Sequence, residues 1–352
     1  MVLNAQEERY FKHAMANQTN DPKIDSVINF WVSFLYEEND SLQLDYWAKE
    51  EIEKFTNPCL FCANFFQFDR LAQLKYFKPY ILSVEEKNDQ YFIKTAFWNF
   101  NFTPSDTAKK NQNPAGVITV IVEEIDSQFY LKNVLSYRTT DWKKYTVGKI
   151  NYLVAPSTKI DTIACRNAAN FSDSLAKAWD VNYDSIAYYV TTTGEEIGKL
   201  LGFDFYFFGY TGGLSGTNDG FLMASGNNFF YRHELVHFVL GLYENNLFSE
   251  GLSTFIGGSH NVGFDVLAKS FYETFGALSD EEVEDILYIR NGENFYVFGA
   301  MICNAVYKQK GIEGLKELSK CTKGNDKLLP FASNLLDISE KEFLQLIYAD
   351  IE

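Results

Sequence analysis

Positive charge is in short supply in this sequence. Its 31 Lys and Arg face 47 Asp and Glu, a formal net charge of −16 at pH 7. A phosphate backbone is repelled by such a field, which argues against nucleic acid as a partner. Long apolar runs are missing too. No stretch approaches the roughly 20 residues needed to cross a bilayer, so no membrane span is expected. Cysteine is sparse: Cys59, Cys62, Cys165, Cys303 and Cys321 are too few to form a disulfide scaffold in 352 residues. Cys59 and Cys62 have C-x-x-C spacing, but a zinc knuckle needs a second pair and a thioredoxin site a βαβ context. The pair reads as buried or disulfide-bonded. The glycine-rich "GYTGGLSG" lacks the Lys-Ser/Thr ending of a phosphate-binding P-loop and reads as a flexible rim to a cleft. No internal repeat or low-complexity tract occurs.

The N-terminus, "MVLNAQEERYFKHAMAN", has neither the basic region nor the long apolar core of an intact signal peptide. Its "VLNAQ" matches the apolar-to-small end of a bacterial export signal, mostly removed, which implies a periplasmic or extracellular protein. A plain cytoplasmic start fits the same residues.

What is present is the material of a globular protein, 46% hydrophobic and 17% aromatic, long enough for two domains with separate cores. From Asp21 to Phe55 the pattern is helical, with Ile24, Val27, Ile28, Trp31, Phe34 and Leu35 on one face and a second helix through Trp47, Ile52 and Phe55. From Tyr80 the period changes to two. "YILSVEEKNDQYFIKTAFWNF" reads as a hairpin turning at Lys87 to Asp89, and "GVITVIVEEIDSQFYLKNVLSY" as another turning near Asp126. The polar loop "TPSDTAKKNQNPAG" separates them. This predicts an α+β fold whose first domain, residues 1–140, sets helices on an antiparallel sheet. The element order is that of small nuclear-transport-factor-like (NTF2-like) domains. A second domain, residues 146–352, alternates strands ("KINYLVAP", "SIAYYVTTT", "FLMAS") with helices (Thr162 to Trp179, "TGEEIGKLLGF"). It turns wholly helical past Glu250.

Histidine is the scarcest ligand type, with four residues in the chain. Two of them share "YRHELVHFVLGLYENNLFSEGLSTF". His233 and His237 are one helical turn apart, so both imidazoles project from one face. Zn²⁺ takes a tetrahedral set with one position left for water, and such a pair supplies half of it. Glu234 follows the first histidine and can accept a proton from water activated there, later handing it to a leaving amine. "HELVH" thus meets the zinc-peptidase pattern H-E-x-x-H. Val236, Phe238, Val239 and Leu240 make the helix a core element. Burying two histidines and a glutamate in it without partners would cost several kcal/mol, which a metal removes.

With these residues in place the chain resembles the glutamate-zinc peptidases (gluzincins), above all the peptidase MA-like proteins and the zinc aminopeptidases related to them. Their third ligand lies on a following helix, in an aromatic/apolar-x-E-G-x-x stretch. That carries over to Glu250 in "LFSEGLSTF", with Gly251 after it and Phe248 on the apolar side. The interval from His237 to Glu250 is shorter than in thermolysin-like or aminopeptidase members and matches the MA-like branch. Glu244 is a rival ligand on an expected continuation of the histidine helix, and His260 in "GGSHNVG" a lesser one. "NFYVFGAMICNAVYKQKGIEGLKEL" is similar to the family helix Y-x-x-G-A-x-(apolar), which makes Tyr296 the match for a tyrosine that stabilises the oxyanion, with Gly299 and Ala300 behind it. "SEKEFLQLI" looks like the terminal helix. The aminopeptidases' G-x-M-E-N segment is replaced by "GFLMASGNN", without the glutamate that holds a free amine. That strand is expected to pair with an extended peptide through its backbone.

The resemblance, covering residues 146–352, implies a zinc-dependent peptidase acting on peptide or protein substrates. One Zn²⁺ is held by His233, His237 and Glu250, with Glu234 as general base and acid and Tyr296 as oxyanion donor. The rival reading is a non-catalytic, zinc-containing binding protein derived from a peptidase fold. An intact Glu234 speaks against it, since a binding site has no need of that base.

Overall fold

A computed structural model describes residues 9–349 except 19, 67–68, 100–113, 208, 290–291 and 323. The export-signal fragment, and most of the polar loop read before Gly116, lie outside the described residues. The chain divides into two compact units, Met1–Trp142 with Thr192–Thr211, and Lys143–Thr191 with Gly212–Glu352. The run 192–211, read from sequence as part of the second domain, therefore clusters with the first.

Unit 1 is helices on a mainly antiparallel sheet. Helix α1 (Pro22–Leu35) starts where Asp21 accepts a hydrogen bond from Lys23 N and Pro22 presets the first turn. Its buried face holds Val27, Ile28, Trp31, Phe34 and Leu35. The indole of Trp31 donates to Thr95 Oγ1 at 2.9 Å, which satisfies a buried polar pair. The strands are β1 (Phe11–Lys12), β2 (Lys78–Lys87), β3 (Gln90–Trp98), β4 (Gly116–Ile125) and β5 (Gln128–Lys132), in that order across the sheet. Both expected hairpins close on two-residue turns with positive φ, Asn88–Asp89 and Asp126–Ser127, whose twist suits antiparallel strands. Strand β9 (Phe203–Tyr206), far along the chain, pairs with the start of β4 while β5 pairs with its end. Asp204 of β9 binds Lys94 at 2.9 Å, Arg138 at 2.8 Å and Thr119 Oγ1 at 2.8 Å. Cys59 and Cys62 are disulfide-bonded.

Unit 2 has a five-stranded sheet in the order β10 (Gly213–Gly216), β11 (Phe221–Ala224), β8 (Ile186–Val190), β7 (Ile150–Val154), β6 (Lys143–Val147). The three inner strands are parallel and both edges antiparallel. Helix α2 (Thr162–Trp179), capped by Asp161, makes the crossover from β7 to β8. Helix α3 (Gly194–Leu201) belongs to unit 1. Helices α4 (Arg232–Leu240), α5 (Asn246–Gly257), α6 (Phe264–Phe275), α7 (Asp280–Ile289), α8 (Glu293–Leu318), α9 (Leu328–Leu336) and α10 (Glu340–Ala349) complete the unit. Strand β11, expected to be open to a peptide, is interior, paired with β10 on one side and β8 on the other. The "GGLSG" read as a flexible rim is the edge strand itself.

Candidate metal centre

The entry to α4 is fixed from below by two buried tyrosines of the inner strands. Tyr152 donates to Phe229 O and Tyr188 to Asn228 O, each at 3.0 Å, and the Tyr188 hydroxyl also accepts from Tyr231 N at 3.0 Å. The last of these takes up an N–H that a helix start leaves open, and the other two tie down the residues leading into it. Along α4 every residue from His233 to Val239 is buried. The helix stops at Leu240, with Gly241 at φ 83°, so it does not continue through Glu244 as the sequence suggested. Glu244 is exposed in the connection that follows. Asn245 then caps α5 by accepting from Phe248 N, while its amide donates to Gly324 O at 3.0 Å.

Helix α5 brings Glu250 to the histidines. Glu250 Oε2 lies 3.1 Å from His233 Nε2 and 3.3 Å from His237 Nε2, and the two Nε2 atoms are 3.2 Å apart. Each opposite ring nitrogen is occupied: His233 Nδ1 donates to Gly258 O at 2.9 Å, and His237 Nδ1 lies 3.2 Å from Ser253 Oγ. Such outer partners fix ring orientation and leave Nε2 lone pairs aimed inward. Two imidazole nitrogens and a carboxylate oxygen, all within 4.8 Å of one another, are the donor set that suits Zn²⁺. Burial pushes the Glu250 carboxyl up, but hydrogen bonds and charge from His233 and His237 overcome it and hold it down to about 2. Burial pulls His233 down, and Glu250 with Glu234 turn the net shift upward.

Helices α5 and α8 cross at glycine on glycine. A Cβ on Gly251 would lie 2.4 Å from the Gly299 carbonyl carbon, and one on Gly299 would lie 2.4 Å from Leu247 O. The contact places Tyr296, one turn before Gly299, beside the cluster. Its ring stacks on His233 with centroids 5.9 Å apart at 29°. Burial, then the charges of Glu250 and Glu234, push its phenol upward, which keeps it a neutral donor. Glu234 is 9% exposed. His260 sits exposed on a tight turn at φ 49°, outside the cluster.

The supporting groups Ser253 and Gly258 O escaped the sequence reading. Ser253 left a signal, since it lies three residues past Glu250 on the same helix. A main-chain carbonyl leaves none.

No protein-family model and no curated protein matches this chain. Solved structures that match it include M1 zinc metallopeptidases, members of the gluzincin family. One is a two-domain mutant enzyme bound to L-arginine, with 14% identity and TM-score 0.38, covering 77% of this chain and 59% of that one. A mutant from Deinococcus radiodurans bound to a Tyr-Ser-Ala substrate gives 13%, 0.37, 76% and 59%. Another structure of the enzyme from that organism gives 14%, 0.36, 78% and 64%. The chain thus spans less than two thirds of the length of these proteins.

Proposed function

We propose that this protein is a zinc-dependent peptidase that cleaves peptide bonds within extended chains. The observation that carries the reading is the convergence of His233 Nε2, His237 Nε2 and Glu250 Oε2, with both remaining ring nitrogens tied back. These three residues would hold the ion. Zn²⁺ bound there supplies Lewis acidity that activates water and polarises the scissile carbonyl. Glu234 takes the proton of the attacking water and delivers it to the departing amine. Tyr296 donates its phenolic hydrogen to the oxygen on which negative charge develops. Strand β10, at the sheet edge, aligns the peptide. Neither β10 nor β11 contains an acidic residue, so the reading does not include a requirement for a free N-terminus. The Cys59–Cys62 disulfide supports an exported protein working in an oxidising compartment. Unit 1 fits the role of an accessory module of NTF2-like build.

The test is metal analysis followed by cleavage of a mixed peptide library. Purified protein is expected to hold about one zinc per chain. Glu250→Ala should abolish retention and Glu244→Ala should leave it intact. Glu234→Gln should keep the ion and lose hydrolysis by roughly two orders of magnitude or more. Folded protein that takes up no zinc at neutral pH would sink the assignment. Zinc-loaded wild type inactive across the library would favour the binding-protein alternative.

A further inference from the structure

Tyr231 stands directly before the histidine helix, and the chemistry above gives it no task. Its backbone is anchored through the N–H bond to Tyr188. Its hydroxyl, by contrast, has no hydrogen-bond partner among the described residues. The ring is half-buried and lies against the edge strand. A Cβ on Gly213 would come within 2.1 Å of its Cε1 and 3.0 Å of Glu234 Cγ, so strand, ring and base meet at one point, and only glycine leaves room for them. The hydroxyl ends near Gly212, where a Cβ would be 3.8 Å away. The Gly212 carbonyl is already taken, accepting both the N–H and the hydroxyl of Ser225 at 2.9 Å.

We infer that Tyr231 is a substrate-binding residue whose phenolic O–H donates to a main-chain carbonyl of a peptide lying along β10. The inference rests on the peptidase reading for the identity of the ligand. A phenol between strand and base offers its O–H to an acceptor, and an extended peptide presents carbonyl oxygens there whatever its sequence. The bond forms in the bound ground state and persists through reaction, so it contributes to affinity and not to turnover.

Tyr231→Phe removes one oxygen and keeps the ring over Gly213. It should raise KM roughly three- to tenfold with kcat nearly unchanged, the size of one neutral hydrogen bond, and do so alike for library peptides of different sequence. The second readout needs no turnover. In zinc-loaded Glu234→Gln protein, calorimetric affinity for the best-retained octapeptide of the library should fall by the same factor when Tyr231→Phe is added. A drop in kcat at constant KM would overturn the inference by making Tyr231 a transition-state donor. Unchanged KM and unchanged affinity would overturn it as well, leaving the ring as packing. If wild type cleaves nothing, the peptidase reading fails. The calorimetric arm then still decides whether Tyr231 holds peptide.

Discussion

The charges of Glu234 and Glu250 act on two phenols, Tyr231 and Tyr296, and the proposed function gives the two different work. Tyr296 stacks on His233 at 5.9 Å, on a helix locked to the one bearing Glu250. In the proposed reaction, a group held this close to the three candidate ligands, kept neutral by burial and by the charges of Glu250 and Glu234, would answer the charge that develops. Tyr296→Phe should therefore cut kcat by roughly a hundredfold, with KM and melting temperature little changed. Steady-state kinetics and a thermal melt check this. Unchanged turnover would make Tyr296 a packing residue, and a large fall in melting temperature would show that its hydroxyl holds the fold. At this scale the grouping of His233, His237 and Glu250 was legible because helical spacing ties the first two together and the resemblance to the gluzincins points to the third, with Glu244 as its rival. Tyr231 was not legible, because nothing in the order of residues says that a glycine 18 positions earlier lies under its ring.

At the scale of elements, the site depends on how closely α5 can approach α8. The backbones meet at Gly251 and Gly299, and a methyl at either position collides with main chain, which cannot swing aside as a side chain can. Gly251→Ala should force the helices apart, costing about 1–3 kcal/mol as overpacking does, and move Glu250 relative to the histidines. A lowered melting temperature together with weaker zinc retention is the expected pair of results, read by calorimetry and metal analysis. Stability lost with zinc retained would mean that Glu250 follows the histidines independently of the crossing. Helix α2 was legible from Thr162 to Trp179 because its periodicity is strong and Asp161 marks its start. The hairpins were legible from alternation. Strands β6 and β10 were not: "KKYTV" and "GLSG" carry too few apolar residues to show a period of two, and edge pairing alone makes them strands. The end of α4 at Leu240 was missed because Gly241 is followed by "LYEN", which fits a helix as readily as a loop.

For the whole molecule, the informative feature is that the chain leaves unit 2 after β8, contributes α3 and β9 to unit 1, and returns to form β10. Linear sequence cannot reveal this, because an apolar strand such as "FDFY" shows that it needs a sheet but not which one. The consequence is that unit 2 cannot be cut out at Lys143 without damage. In such a chain Ile197, Leu200, Leu201 and Phe203, each no more than 5% exposed in the intact protein, would lose their packing partners, and β9 would lose its pairing with β4. Exposed apolar surface next to an unpaired strand favours aggregation. A chain spanning Lys143–Glu352 is thus expected to associate and to bind zinc poorly. The same chain with Thr192–Thr211 replaced by a flexible glycine-serine linker should be monomeric, unfold cooperatively and take up zinc, since sheet and ligand helices of unit 2 are then complete. Size-exclusion chromatography, thermal melts and metal analysis compare the two. Equal behaviour of both chains would show that α3 and β9 need nothing from the N-terminal residues. Failure of the linker chain alone would show that the inserted run sustains β10, and with it the rim along which we place the peptide.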